Sequence, residues 1–121
     1  MKYFPLLLLA IYSTSAIADV TPEQKQEVQH QLQFVQQSDC VMTRNGSEHS
    51  GEEAAEHIQN KYDYFRDDID TTEKFIEYSA TKSTMSGKYY TVDCPGGKKM
   101  KSQDWLLGEL ERFRQKSVTK E

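Results

Sequence analysis

The stretch Asp39–Tyr62, DCVMTRNGSEHSGEEAAEHIQNKY, decides how this chain is read, because a strand, a tight turn and a helix start follow one another within it. Cys40 to Arg44 is a short extended run in which Cys40 and Met42 share a face. Asn45-Gly46 follows, the dipeptide whose tolerance of positive φ suits a two-residue hairpin turn, and Ser47 to His49 is then the return strand. Ser50 with Glu53 three residues on is a capping-box pattern, and Glu52 and Glu53 put negative charge where the helix dipole favours it. Ala54, Ala55, Ile58, Tyr62 and Phe65 fall on one face of the helix that begins there. His57 and Lys61 lie on the border of that face, a polar ridge beside the core.

Towards the amino end, Thr21 caps and Pro22 opens a first helix that runs to about Gln37, with Val28, Leu32 and Val35 as its apolar stripe. His30 sits among polar neighbours and is expected in solvent. The first 18 residues read as a secretory signal: Lys2 is the positive region, Phe4 to Ile11 the apolar run, and Ala16-Ile17-Ala18 the A-x-A cleavage site. That apolar run is too short for a membrane span, which needs roughly 20 residues. The expected mature chain is residues 19–121, one small domain in the periplasm of a Gram-negative bacterium, with no stable membrane insertion after cleavage.

Towards the carboxyl end, Asp70-Thr71-Thr72-Glu73 is a further capping pattern, starting a short helix from Thr72 to about Ala80 on Phe75 and Ile76. Thr81 to Gly87, TKSTMSG, has no period and is a loop. Lys88 to Cys94 alternates as a strand with Tyr90, Val92 and Cys94 on one side, and Pro95-Gly96-Gly97 ends it. Ser102 is expected to cap a last helix whose stripe is Leu106, Leu110 and Phe113. Two cysteines in a small exported chain form one disulfide, Cys40 to Cys94. The fold class is α+β: four helices on a two- to three-stranded sheet, in the order helix, hairpin, helix, helix, strand, helix.

Cleavage leaves 14 basic and 19 acidic side chains, an acidic balance that speaks against nucleic acid as the main partner. The charge is uneven: Ala80 to Glu121 holds 9 basic and 5 acidic residues, so Lys82, Lys88, Lys98, Lys99 and Lys101 form either a solvated face or a surface for an anionic partner.

Arg44-Asn45-Gly46, Glu53-Ala54-Ala55-x-His57 with Lys61 one turn later, Ile69-Asp70-Thr71-x-Glu73-x-Phe75-Ile76, Lys82-Ser83 and Ser86-Gly87-Lys88-x-Tyr90 occur in an order that resembles the YfeK-like family of small exported bacterial proteins. The likeness spans about Val28 to Phe113; this chain has Tyr89 where that family often has proline. The family is a domain of unknown function, so the resemblance implies an exported domain and transfers no chemistry.

Candidate chemistry is sparse. His49, Glu53 and His57 lack the converging spacing of a zinc site, so neither a metal nor a cofactor is expected. Ser83 or Ser86 with His57 or Lys88 would be the parts of a small hydrolase, yet no nucleophile elbow or S-x-x-K spacing fixes them. Ser86-Gly87-Lys88 lacks the upstream glycine of a phosphate loop, because Lys82 occupies its place. The main reading is a non-catalytic binding or interaction module for an envelope component or exported protein, with Arg44, Asn45, His57, Lys61, Ser83, Ser86, Lys88 and Tyr90 offering donors to a carboxylate, phosphate or sugar. Two alternatives stay open: that Arg44 and Lys61 only pair with Glu48, Glu53 or Asp63, and that Ser86-Gly87-Lys88-Tyr89-Tyr90 is the loop of an inhibitor of a lysozyme-like hydrolase.

Overall fold

In the computed structural model, residues 19–118 are described, and the leader expected over residues 1–18 lies outside them. Helix α1 (Pro22–Gln37) starts at Thr21, whose hydroxyl accepts the Gln24 amide hydrogen, with proline at the first helical turn. A hairpin follows, β1 (Val41–Arg44) and β2 (Ser47–His49), joined by Asn45 and Gly46 at φ 50 and 80. Positive φ at both positions is the type I′ geometry that matches strand twist. Helix α2 (Gly51–Phe65) is capped by Ser50 and ends in a 3₁₀ turn, Arg66–Asp68.

Helix α3 (Thr72–Ser79) starts at the expected residue, capped by Thr71, whose hydroxyl accepts the Lys74 amide hydrogen. Strand β3 (Thr91–Asp93) is shorter than expected because Tyr90 spends its backbone groups elsewhere. Its N–H donates to Thr81 and its carbonyl accepts from Ser102. A fourth strand, β4 (Met100–Lys101), completes an antiparallel sheet of order β2-β1-β3-β4, one strand more than the upper expectation. Ser102 does not cap α4 (Ser102–Val118); it is the first helical residue, and its buried hydroxyl has no hydrogen-bond partner.

The core lies where the four helices meet. Val28 and Val35 from α1, Ile58 and Tyr62 from α2, Phe75 and Ile76 from α3, and Leu106 and Leu110 from α4 are buried together, and β1 adds Met42. Ion pairs tie the helices at the rim: Arg114 on α4 binds Glu27 on α1 at 2.7 Å and Glu73 on α3 at 2.9 Å. His30, expected in solvent, is only partly exposed. Its Nε2 lies 2.6 Å from the buried Glu109 carboxylate and its ring stacks on Phe113 with centroids 4.2 Å apart.

Cys40 and Cys94 are bonded, closing a separation of 54 residues just beyond the paired ends of β1 and β3. Reducing this bond should lower the unfolding free energy by about 4 kcal/mol, read as the difference between guanidinium denaturation curves with and without dithiothreitol. Gly51 is constrained differently: a methyl there would press into the carbonyls of Val35 and Ser38 at the end of α1, whereas one at Gly108 would meet nothing. Gly51→Ala should therefore cost about 1–3 kcal/mol by overpacking, while Gly108→Ala should stabilise by up to about 1 kcal/mol; the same curves measure both.

Candidate functional site

Three elements converge at the end of the β1–β3 ladder opposite the disulfide. Strand β1 ends in Arg44 and its turn in Asn45; α2 contributes His57 and Lys61, one turn apart; the chain entering β3 contributes Ser83, Ser86 and Tyr90. The amphipathic pattern of α2 puts His57 and Lys61 on the flank nearest the sheet. Tyr90 is 3% exposed and lies between them.

The hydrogen bonds define a directed chain. The Lys61 ammonium donates to the Lys82 carbonyl at 2.8 Å and to the Tyr90 hydroxyl at 3.2 Å. An ammonium only donates, so the Tyr90 hydroxyl accepts from Lys61 and has its own hydrogen free to donate to a neutral His57 Nε2, 3.2 Å away. Burial is the main reason the pKa of His57 is lowered, to about 4, and the charges of Arg44, Lys61 and His49 push in the same direction. The pKa of Lys61 is lowered too, by burial first and by Arg44 second, and that of Tyr90 is raised by burial.

Arg44 is the unbalanced member. Among the described residues its guanidinium has no ion pair or hydrogen bond, and its Nε is buried without a partner. Of the three carboxylates that the sequence offered as partners, Glu53 bonds His49 and Ser50, Asp63 bonds Arg66 and Gln59, and Glu48 forms no ion pair with Arg44 or Lys61 among the described residues. Two cations and a neutral imidazole thus share a half-buried patch in which neither cation has an ion pair among the described residues.

The loop beside it is tied to the hairpin. Asn45 donates to the Ser83 hydroxyl at 3.2 Å and accepts from the Ser86 hydroxyl at 2.6 Å. Ser83 also accepts the Ser86 amide hydrogen, and Ser86 accepts that of Lys88. Both serines are therefore turn-formers here, and the His57 bond goes to Tyr90, so neither serine is paired with His57 as nucleophile and base. Lys88 is exposed, with its backbone in the turn. His49 pairs with Glu53 and not with His57, and among the described residues no three metal-ligating side chains gather.

The concave part of this surface opens on the Lys61 side. A groove of about 350 Å³ is lined by Lys61, Phe65, Glu77, Tyr78, Lys82, Ser83, Thr84 and Gly87. Sequence reasoning missed Phe65, Glu77 and Tyr78 as groove residues, although Phe65 was legible as the last apolar position of α2.

What the fold and cluster define is a small disulfide-bonded α+β domain whose Arg44 and Lys61 have no ion pair among the described residues. The sequence profile described as Family of unknown function (DUF5329) matches residues 22–114, so the chain belongs to that family. It is 34% identical over 92 residues to the Salmonella typhimurium (strain LT2) protein named uncharacterized protein YfeK, covering 74% of this chain and 77% of that one. No solved structure matches.

The sign of the His57 shift sets the acid response. With its folded pKa below the unfolded value, the unfolded chain binds the extra proton, so this group's contribution to stability falls as pH drops from about 6.5 to about 4. An NMR titration should place the His57 midpoint near 4, and Lys61→Met should move it upward towards the ordinary histidine value.

Proposed function

We propose that this protein is an exported, non-catalytic binding module that captures an anionic group of an envelope component or exported partner between Arg44 and Lys61. The observation that carries the reading is a paired absence: the Arg44 guanidinium and the Lys61 ammonium lie close enough to depress a shared neighbour's pKa, and neither has an ion pair to a carboxylate among the described residues. Lys61 uses two of its three protons, and Arg44 uses none of its five. A carboxylate or phosphate would accept both sets and relieve the repulsion. Periplasmic placement rests on the leader-like residues 1–18, with the Cys40–Cys94 bond in keeping with an oxidising compartment. Among the described residues no helix is long and apolar enough to cross a membrane.

One observation favours a second reading, inhibition of a lysozyme-like hydrolase. Met85 is 98% exposed at the tip of a loop whose base is pinned to Asn45 on both sides. Lysozyme turnover unchanged by an excess of the protein would retire it.

Inorganic sulfate tests the main reading, because its charge stays constant across the relevant pH range. Calorimetry should detect binding to the wild type and a loss of about tenfold or more in Lys61→Met, the scale of one charge-assisted hydrogen bond. An anion beside His57 offsets the fields of Arg44 from β1, His49 from β2 and Lys61 from its own helix. Binding should therefore strengthen as pH falls from about 7 to about 4, and the pH dependence should vanish in His57→Gln.

A further inference from the structure

We infer that the ligand of this site is an acidic sugar: a pyranose ring carrying one carboxylate or phosphate, with the charge at Lys61 and Arg44 and the ring in the groove formed by Phe65, Tyr78 and Glu77. The inference rests on the anion-binding reading and adds the body of the ligand to its charge.

Lys61 belongs to both halves of the surface. Its ammonium meets Tyr90 in the cationic cluster, lines the groove, and stands 6.0 Å from the centre of the Phe65 ring. A charged group held at Lys61 thus has its attached ring over Phe65 with no linker between. Phe65 and Tyr78 both line the groove, with centroids 5.6 Å apart and planes inclined by 43°; Tyr78 is 37% exposed. Aromatic faces of this kind take the C–H face of a sugar ring, which is apolar on its surface and polar at its edge.

The rest of the lining selects against a purely apolar acid. Glu77 and Thr84 are among the residues that line the groove, so an acid and a hydroxyl side chain border it. An alkyl or aryl tail would cover Glu77 without giving it a hydrogen bond, which is unfavourable, whereas ring hydroxyls donate to it. Glu77 also repels a second negative charge on the ring, so the ligand carries its charge at one end. The groove's volume, about 350 Å³, suits one sugar ring with its substituents better than a long polymer.

The test is an NMR titration of the mature, oxidised protein with five probes: acetate, inorganic phosphate, glucuronate, glucose 6-phosphate and N-acetylphenylalanine. Expected are affinities for glucuronate or glucose 6-phosphate at least about tenfold above those for acetate or phosphate, with ring resonances of Phe65 and Tyr78 shifting. Tyr78→Ala should remove that gain and leave acetate and phosphate binding unchanged. Its side chain is partly exposed, and its melting curve checks that it folds. Sugar acids binding no tighter than the bare anions would overturn this inference and leave anion capture standing. Tighter binding of N-acetylphenylalanine would also overturn it, in favour of a peptide carboxyl end. If no anion binds at all, both readings fall. The arms of the two acidic sugars distinguish carboxylate from phosphate as the charged group.

Discussion

Antiparallel pairing of β1 with β3 joins two parts of the chain that are far apart in sequence, and the Cys40–Cys94 bond closes the ladder at one end. Everything at the other end depends on that register. With Thr43 opposite Thr91, the ladder runs out with Arg44 on one strand and Tyr90 leading into the other. Tyr90 then spends its backbone on Thr81 and Ser102 and its hydroxyl on the α2 flank. A slip of one residue would turn Met42 and Val92 out of the interior and carry Arg44 and Tyr90 to the opposite face.

The electrostatics of the patch stand out against the rest of the molecule. Arg66 is met by Asp19 and Asp63, Lys74 by Asp70, Arg112 by Glu109, and Arg114 by both Glu27 and Glu73. The chain has net charge −4, so acids are not scarce. Yet two cations are brought together and partly desolvated where neither finds one. Structural ion pairs also perturb pKa values, but they do so by supplying the opposite charge, and here the shifts come from burial and from like charges.

How much could be read from the residues alone follows from which signals are local. The Asn45-Gly46 turn and the caps at Thr21 and Ser50 are properties of two to four neighbouring residues, and the structure uses all of them. The meeting of Asn45, Ser83 and Ser86 was approachable because the hairpin and the loop each announce themselves. Strand β4 was not, since two residues after a Pro-Gly-Gly turn and a lysine pair show no alternation. His30 failed for a related reason: its sequence neighbours are polar, while its partner Glu109 lies 79 residues away. Tyr90 was legible as an inward-facing strand residue, but its service as a link between Lys61 and His57 depends on tertiary distance alone.

The place of β3 within the sheet also bears on timing. A chain made amino end first can form α1, the hairpin and α2 from local contacts, because all of them precede Phe65. Arg44, His57 and Lys61 are then present but open to water, and they keep ordinary solvation. Only when β3 pairs with β1, and Tyr90 arrives with it, does the patch become partly dry and its cations begin to repel. The partly desolvated patch is therefore among the last features the chain acquires.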